Sequence, residues 1–197
     1  MGDILQFAPF VQGVFTNEAA RDAAITSPTE GMHVYLTAPT VPAATGAITA
    51  VPTGIQTIYN GSVWVCVTEV GARSETSGTT TSTSFVSTLT GDATAISVTL
   101  VTGTTAQVSI HFQGYTNGAV STMAVAVSGA STIAASREKG VTHNDLSNAT
   151  ATLNSHGSTF VFTGLTAGTN TFTAQYKTST ATATFDTGRT LTVKGIA

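Results

Sequence analysis

The sequence predicts an all-β protein, a small N-terminal β-hairpin attachment module followed by an antiparallel, jelly-roll-like β-sandwich. Three observations predict it. Hydrophobic alternation has a period close to two wherever it is strong. Thr, Ser, Ala and Val fill those stretches, and β-branched side chains suit a pleated, half-buried surface. From residue 85 onward short apolar runs recur at regular spacing with Gly-bearing turns between them, as in sandwiches and jelly rolls.

Helix has one place. Thr16 or Asn17 can cap a short turn over residues 18–24, with Glu18 favourably placed against the helix dipole, and Pro28 bars its continuation. A strand follows at residues 33–37, then a Pro-containing loop over 38–54, then a hairpin of 55–59 and 62–68. Asn60-Gly61 is the turn, since both residues tolerate the positive φ that a type I′ hairpin requires. The second hairpin strand is apolar on both faces, with Val63, Val65 and Val67 on one and Trp64 and Cys66 on the other. Two readings fit it equally: an ordinary buried central strand, or a strand with one face on its own chain and the other on a neighbouring subunit.

Residues 71–83 are small and polar without apolar periodicity, and read as a linker between an attachment module at 1–70 and a sandwich at 84–197. Strands are expected at 85–89, 95–101, 106–113, 122–128, 148–154, 159–165, 169–177, 181–186 and 190–194. Alternation assigns the core: Ile96, Val98 and Leu100; Val108, Ile110 and Phe112; Met123, Val125 and Val127; then Phe160, Phe162, Phe172, Tyr176, Phe185, Leu191 and Val193.

Charged residues make up 9% of the 197-residue chain and the formal net charge is -3. The seven cations are scattered, so there is no basic patch to neutralise phosphates and nucleic acid is excluded as a partner. No segment reaches the roughly 18 apolar residues of a membrane span, and the N-terminus lacks the basic start of a signal peptide, so assembly in the host-cell cytoplasm without membrane insertion is expected. The single cysteine, Cys66, rules out an intramolecular disulfide, and an apolar strand with no basic neighbour makes it a buried structural thiol. The ten acidic residues show no spacing that pairs two of them on one strand face. No enzyme activity, cofactor or metal is therefore expected.

The stretch ARDAAITSPTEGMHVYLT, followed by IQTIYNGSVWVCV, resembles a module near the front of tail-fibre, minor-tail and other accessory proteins of tailed phages. There a strand ending in Tyr and an Asn-Gly turn lead to a Trp strand, here Tyr59, Asn60, Gly61 and Trp64. The pieces VTGTTAQVSIHF, MAVAVSGAS, GLTAGTNTFTAQYK and TATFDTGRTLTV are similar to a β-sandwich at the ends of phage appendage and decoration proteins. The resemblance implies a virion location and often a homotrimer. It implies a structural protein on the exterior of the particle, a capsid decoration, head appendage or minor tail protein, whose partners are major capsid or tail proteins. The alternative is a carbohydrate- or receptor-binding module of a tail fibre that contacts a host surface glycan. The sequence has none of the coiled coil, β-helix repeat or collagen-like run of a long fibre shaft.

Candidate functional residues fall into two groups. Ile4, Leu5, Phe7, Phe10, Val14 and Phe15 are more large apolar side chains than a free tail exposes, and with Trp64 they form a candidate anchor or subunit interface. Tyr115, His143 and Asp145 are candidates for surface recognition, because loops at the ends of a sandwich are held rigidly. Residues 136–148 are read as such a loop, and His156 as a loop residue. His111 is out of phase with Val108, Ile110 and Phe112 and should face outward, and Arg189 is placed to pair with Asp186.

Overall fold

A side-chain cap starts the helix where the sequence places it. In a computed structural model that describes residues 13–116, 118–145 and 153–197, strand β1 (Gly13–Phe15) runs into Asn17, whose Oδ1 accepts a hydrogen bond from Ala20 N at 3.0 Å. That opens α1 (Glu18–Ala24), and the chain returns as β2 (His33–Leu36), parallel to β1. A parallel pair needs a crossover of this length, and residues 16–32 supply it.

Two short strands, β3 (Ala43–Thr45) and β4 (Ile48–Ala50), occupy what the sequence presents as loop. β5 (Ile55–Tyr59) and β6 (Trp64–Cys66) form the hairpin. Its connection is longer than a two-residue turn. Asn60 N donates to Val63 O at 3.1 Å, and Asn60 Oδ1 accepts from Ser62 N and Val63 N at 3.1 and 2.9 Å. Gly61 takes the positive φ of 87° that this loop requires.

The expected linker is a correction. Its residues form β7 (Val70–Ser74) and β8 (Gly78–Thr80), both hydrogen-bonded into the sandwich. Gly78 is there because the sheet crowds it: a Cβ would meet Leu89 Cβ at 2.6 Å. Smallness that reads as linker composition is here close packing. The strand expected at 85–89 is reduced to isolated bridges at Val86 and Leu89.

The rest of the sandwich is β9 (Ser97–Thr102), β10 (Thr105–Thr116), β11 (Ala119–Gly129), a 3-10 turn at Arg137–Lys139, β12 (Gly140–Asp145), β13 (Asn154–Thr163), β14 (Gly168–Thr178), β15 (Ala183–Phe185) and β16 (Arg189–Ile196). The first part of the strand expected at 148–154 lies outside the described residues; β13 begins at Asn154.

The described residues form three sheets. A four-stranded sheet has the order β1-β2-β5-β6. A seven-stranded sheet runs β4-β7-β16-β10-β15-β8, with β13 on the other side of β10, and a five-stranded sheet runs β12-β11-β14-β9-β3. The last two stack as an antiparallel, jelly-roll-like sandwich in which β9, β10 and β11 alternate between sheets. Strands from before residue 70 take part in it, because β3 pairs with β9 and β4 with β7.

The core follows the alternation. β10 buries Ala106, Val108, Ile110 and Phe112 against Val98, Leu100, Met123, Val125 and Phe172 of the opposing sheet. Rings cross the interlayer space in edge-on contacts, Phe162 with Phe172 at 5.7 Å and Tyr176 with Phe185 at 4.9 Å. Such pairs add about 0.5–1.5 kcal/mol to the roughly 1.5–3 kcal/mol from burying each large side chain. His111 faces outward, as its phase requires.

Candidate functional site

Helical spacing brings Glu18, Arg21 and Asp22 together at the rim of a cleft of about 320 Å³. Its walls are Leu36, Ile55, Val63, Trp64 and Cys66 of the N-terminal part and Val101, Gly168 and Thr169 of the sandwich. Glu18 is fully engaged, accepting from Thr40 N (2.9 Å), Thr40 Oγ1 (2.9 Å) and Val41 N (3.0 Å). Burial pushes its carboxyl up, but these hydrogen bonds outweigh that and hold it below the usual range. Glu18 therefore fastens the loop before Pro42 to α1 as a carboxylate.

Arg21 is different. Its side chain is only 7% exposed, its Nε donates to Asp22 Oδ1 at 2.8 Å, and its guanidinium lies over the Trp64 ring at 4.9 Å. Its terminal Nη groups have no hydrogen-bond partner among the described residues. They leave donors at a wall of the cleft, next to the acceptor oxygens of Asp22. Cys66 contributes no nucleophile. Burial, with a further push from the Glu18 carboxylate, raises its thiol to about 11, and Sγ donates to Thr68 O at 3.5 Å.

A second cluster lies at one edge of the sandwich. His143 of β12 and His156 of β13 share a hydrogen bond, Nδ1 to Nε2 at 2.9 Å, and His156 packs on Phe112 at 5.6 Å. This corrects the reading of both histidines as loop residues, since His143 sits in a strand at 5% exposure. Ring centroids 4.9 Å apart with nitrogens at 2.9 Å place the two nitrogens nearly head on. That space fits a proton, whereas a shared metal needs about 2.0 Å to each nitrogen. Among the described residues no group of three His, Cys, Asp or Glu side chains can hold a metal ion.

Ser121 is the cross-strand neighbour of both His143 and Thr178, and Ser121 Oγ, Thr178 Oγ1 and His143 Nε2 are buried without a partner among the described groups. Burial, together with the charges of His143 and His111, holds the His156 imidazole below its ordinary value. The unfolded chain then binds the proton more readily, so this contribution is complete at neutral pH and is lost as pH falls below about 6.5. The expected result is a lower urea midpoint at acid than at neutral pH, with a smaller gap in His156→Phe. Midpoints independent of pH would contradict it.

The third cluster is buried. Arg189, 1% exposed, reaches Asp92 rather than Asp186, which corrects the expected pairing. The same Nη2 donates to Ser74 Oγ at 3.0 Å and to Thr76 O, Ser74 Oγ donates to Asp92, and the guanidinium lies over Tyr176 at 5.3 Å. This network ties β7 and β16 to the 75–95 segment and to the opposing sheet.

The remaining candidates are dispersed. Ile4, Leu5, Phe7 and Phe10 lie outside the described residues. Val14 is exposed on β1 while Phe15 is half-buried against the core. Trp64 is 8% exposed and covered by Arg21 and, at 5.4 Å, Tyr59, so its own chain occupies the face offered to a neighbour. Tyr115 is exposed on the outer face of β10, and Asp145 ends β12 opposite Ala119. Residues 140–145 are thus strand rather than recognition loop. Sequence reasoning missed Arg21 and Asp92. The only available signal for Arg21 was its i+3 spacing from Glu18, which by itself says nothing about Trp64.

No family model matches the chain, and no curated protein does. Among solved structures it is similar to the TNF protein Eiger from S. frugiperda, at 10% identity and a TM-score of 0.43, over 62% of this chain and 87% of that one. A second is the CBM22-1–GH10 portion of xylanase 10B from Clostridium thermocellum complexed with xylohexaose, at 14% identity and TM-score 0.34, over 61% of this chain and 26% of that one. A cyclase from Fischerella sp. TAU follows at 7% identity and TM-score 0.24, over 68% and 77% of the two chains. At these values none carries a functional assignment. Among the described residues no helix is long and apolar enough to cross a membrane.

Proposed function

We propose that the chain is a non-enzymatic structural protein on the exterior of a tailed-phage particle, held by its N-terminal part and displaying the sandwich. One observation supports this most: the outer face of the seven-stranded sheet. It presents Gln107, Ser109, Gln113 and Tyr115 of β10, Thr190 and Thr192 of β16, and Thr159 and Val161 of β13, with Ile48 exposed at the β4 edge. The face also carries Arg73, His111 and Lys194, but its other side chains are neutral, so covering it removes few strongly hydrated groups beyond those three. Threonine and valine also lose little rotamer freedom when packed. It suits subunit packing within a homotrimer and against capsid or tail proteins. The resemblance of the Tyr59-Asn60-Gly61…Trp64 segment to phage accessory modules points the same way.

The experiment is sedimentation of particles that encode the chain through a density gradient, followed by biotinylation of the intact particles. The chain should co-sediment and take the label. Its absence from the purified particles would overturn the proposal.

A further inference from the structure

We infer that the cleft between α1 and the sandwich binds a small neutral ligand bearing adjacent hydroxyl groups, a sugar or polyol unit. The inference does not depend on where the protein resides. Three features of the site determine the ligand class.

Size is the first. A cleft of about 320 Å³ is at the lower end of small-molecule sites, roughly 300–1,000 Å³, which fits one or two rings rather than an extended chain. Hydrogen bonding is the second. Arg21 offers Nη donors that the protein leaves unused, from a side chain more than nine-tenths buried, and Asp22 beside it offers acceptors. A hydroxyl pair accepts from the one and donates to the other, which neither a hydrocarbon nor a carboxylate can do. Charge is the third. Glu18 and Asp22 outnumber Arg21 at the rim, so a second anion meets net repulsion and a neutral ligand does not. The half-buried Val63 and Val101, above a floor of buried Leu36 and Ile55, offer the apolar surface that receives the C–H face of the ring.

The His143–His156 pair and the Arg189 network offer no comparable opening, since His143 and Arg189 are buried and bonded to His156 and to Asp92 and Ser74.

Trp64 is the single tryptophan of the chain, so its emission reports on this cleft alone. The test titrates the full-length protein with glucose, galactose, N-acetylglucosamine, rhamnose and glycerol up to about 10 mM, the range of weak ligands. Acetate and glucuronate serve as anionic probes. At least one neutral probe should shift Trp64 emission saturably. Arg21→Met, which keeps the stem over Trp64, should weaken that response about tenfold or more, and Asp22→Asn, exposed and with an Oδ1 that can still accept from Arg21 Nε, should weaken it in a variant whose cooperative melting curve shows it folded. If Arg21→Met fails to fold, Asp22→Asn alone decides. Saturable binding of the anions in preference to the neutral probes, no response to any neutral probe, or a response indifferent to Asp22→Asn would each overturn the inference.

Discussion

Replacing Asp92 by alanine is expected to destabilise the fold by about 3–5 kcal/mol, because it leaves the Arg189 guanidinium charged and buried without its counter-ion. Arg189 is 1% exposed and cannot swing to water. For a chain of this length that corresponds to a melting temperature lower by roughly 10 °C. The double variant Asp92→Leu, Arg189→Met should recover most of the loss, since an apolar pair of similar volume removes both desolvation penalties. Burial pushes the Asp92 carboxyl up, but hydrogen bonds from Ser74 Oγ and Thr94 N and the Arg189 charge overcome it and hold it below the usual range. Its stabilisation is therefore present above the ordinary carboxylate pKa and lost as pH falls through the lowered one. Urea denaturation of the wild type and the two variants checks the prediction; equal midpoints for Asp92→Ala and the wild type would contradict it.

Phe172→Ala should be comparably damaging, at about 3–5 kcal/mol. Phe172 is fully buried on the central strand of the five-stranded sheet, flanked by Val98 and Val127 and in edge contact with Phe162 across the sandwich. Sheets on both sides are held by their own ladders and cannot collapse into the space, so the lost transfer energy and the cavity add. Phe160→Ala provides the comparison. Its ring is only partly buried, at the edge strand β13, and its loss should cost roughly 1 kcal/mol. Guanidinium denaturation with unchanged slope would measure both, and equal effects at the two positions would show that the core is not centred where these contacts place it.

The sandwich core was legible because its strands alternate over long runs. In β10 one face is Ala106, Val108, Ile110 and Phe112, and every intervening residue is polar, so the sequence states both the strand and its orientation. β7 and β8 were illegible for the opposite reason. Their inward residues include Ser74, Gly78 and Thr80, small or polar groups buried by close approach or by the Arg189 network, and nothing in a local window separates that from a linker. The polar run around His143 concealed an edge strand in the same way, because its partner, His156, is 13 residues further along, on the next strand. Arg189 and Asp92 are 97 residues apart, and local spacing could not join them. Of the candidate site, Trp64 was visible as a large residue on a strand with two apolar faces, but its cover, Arg21, depends on where α1 docks.

The most direct test of the central proposal, a structural role on the exterior of a phage particle, is immunogold labelling of intact particles with antibody raised against residues 97–197. The account predicts label on the outside of the virion: spread over the head for a capsid decoration protein, or confined to the tail for a minor tail protein. Particles that contain the gene but carry no label anywhere would contradict it.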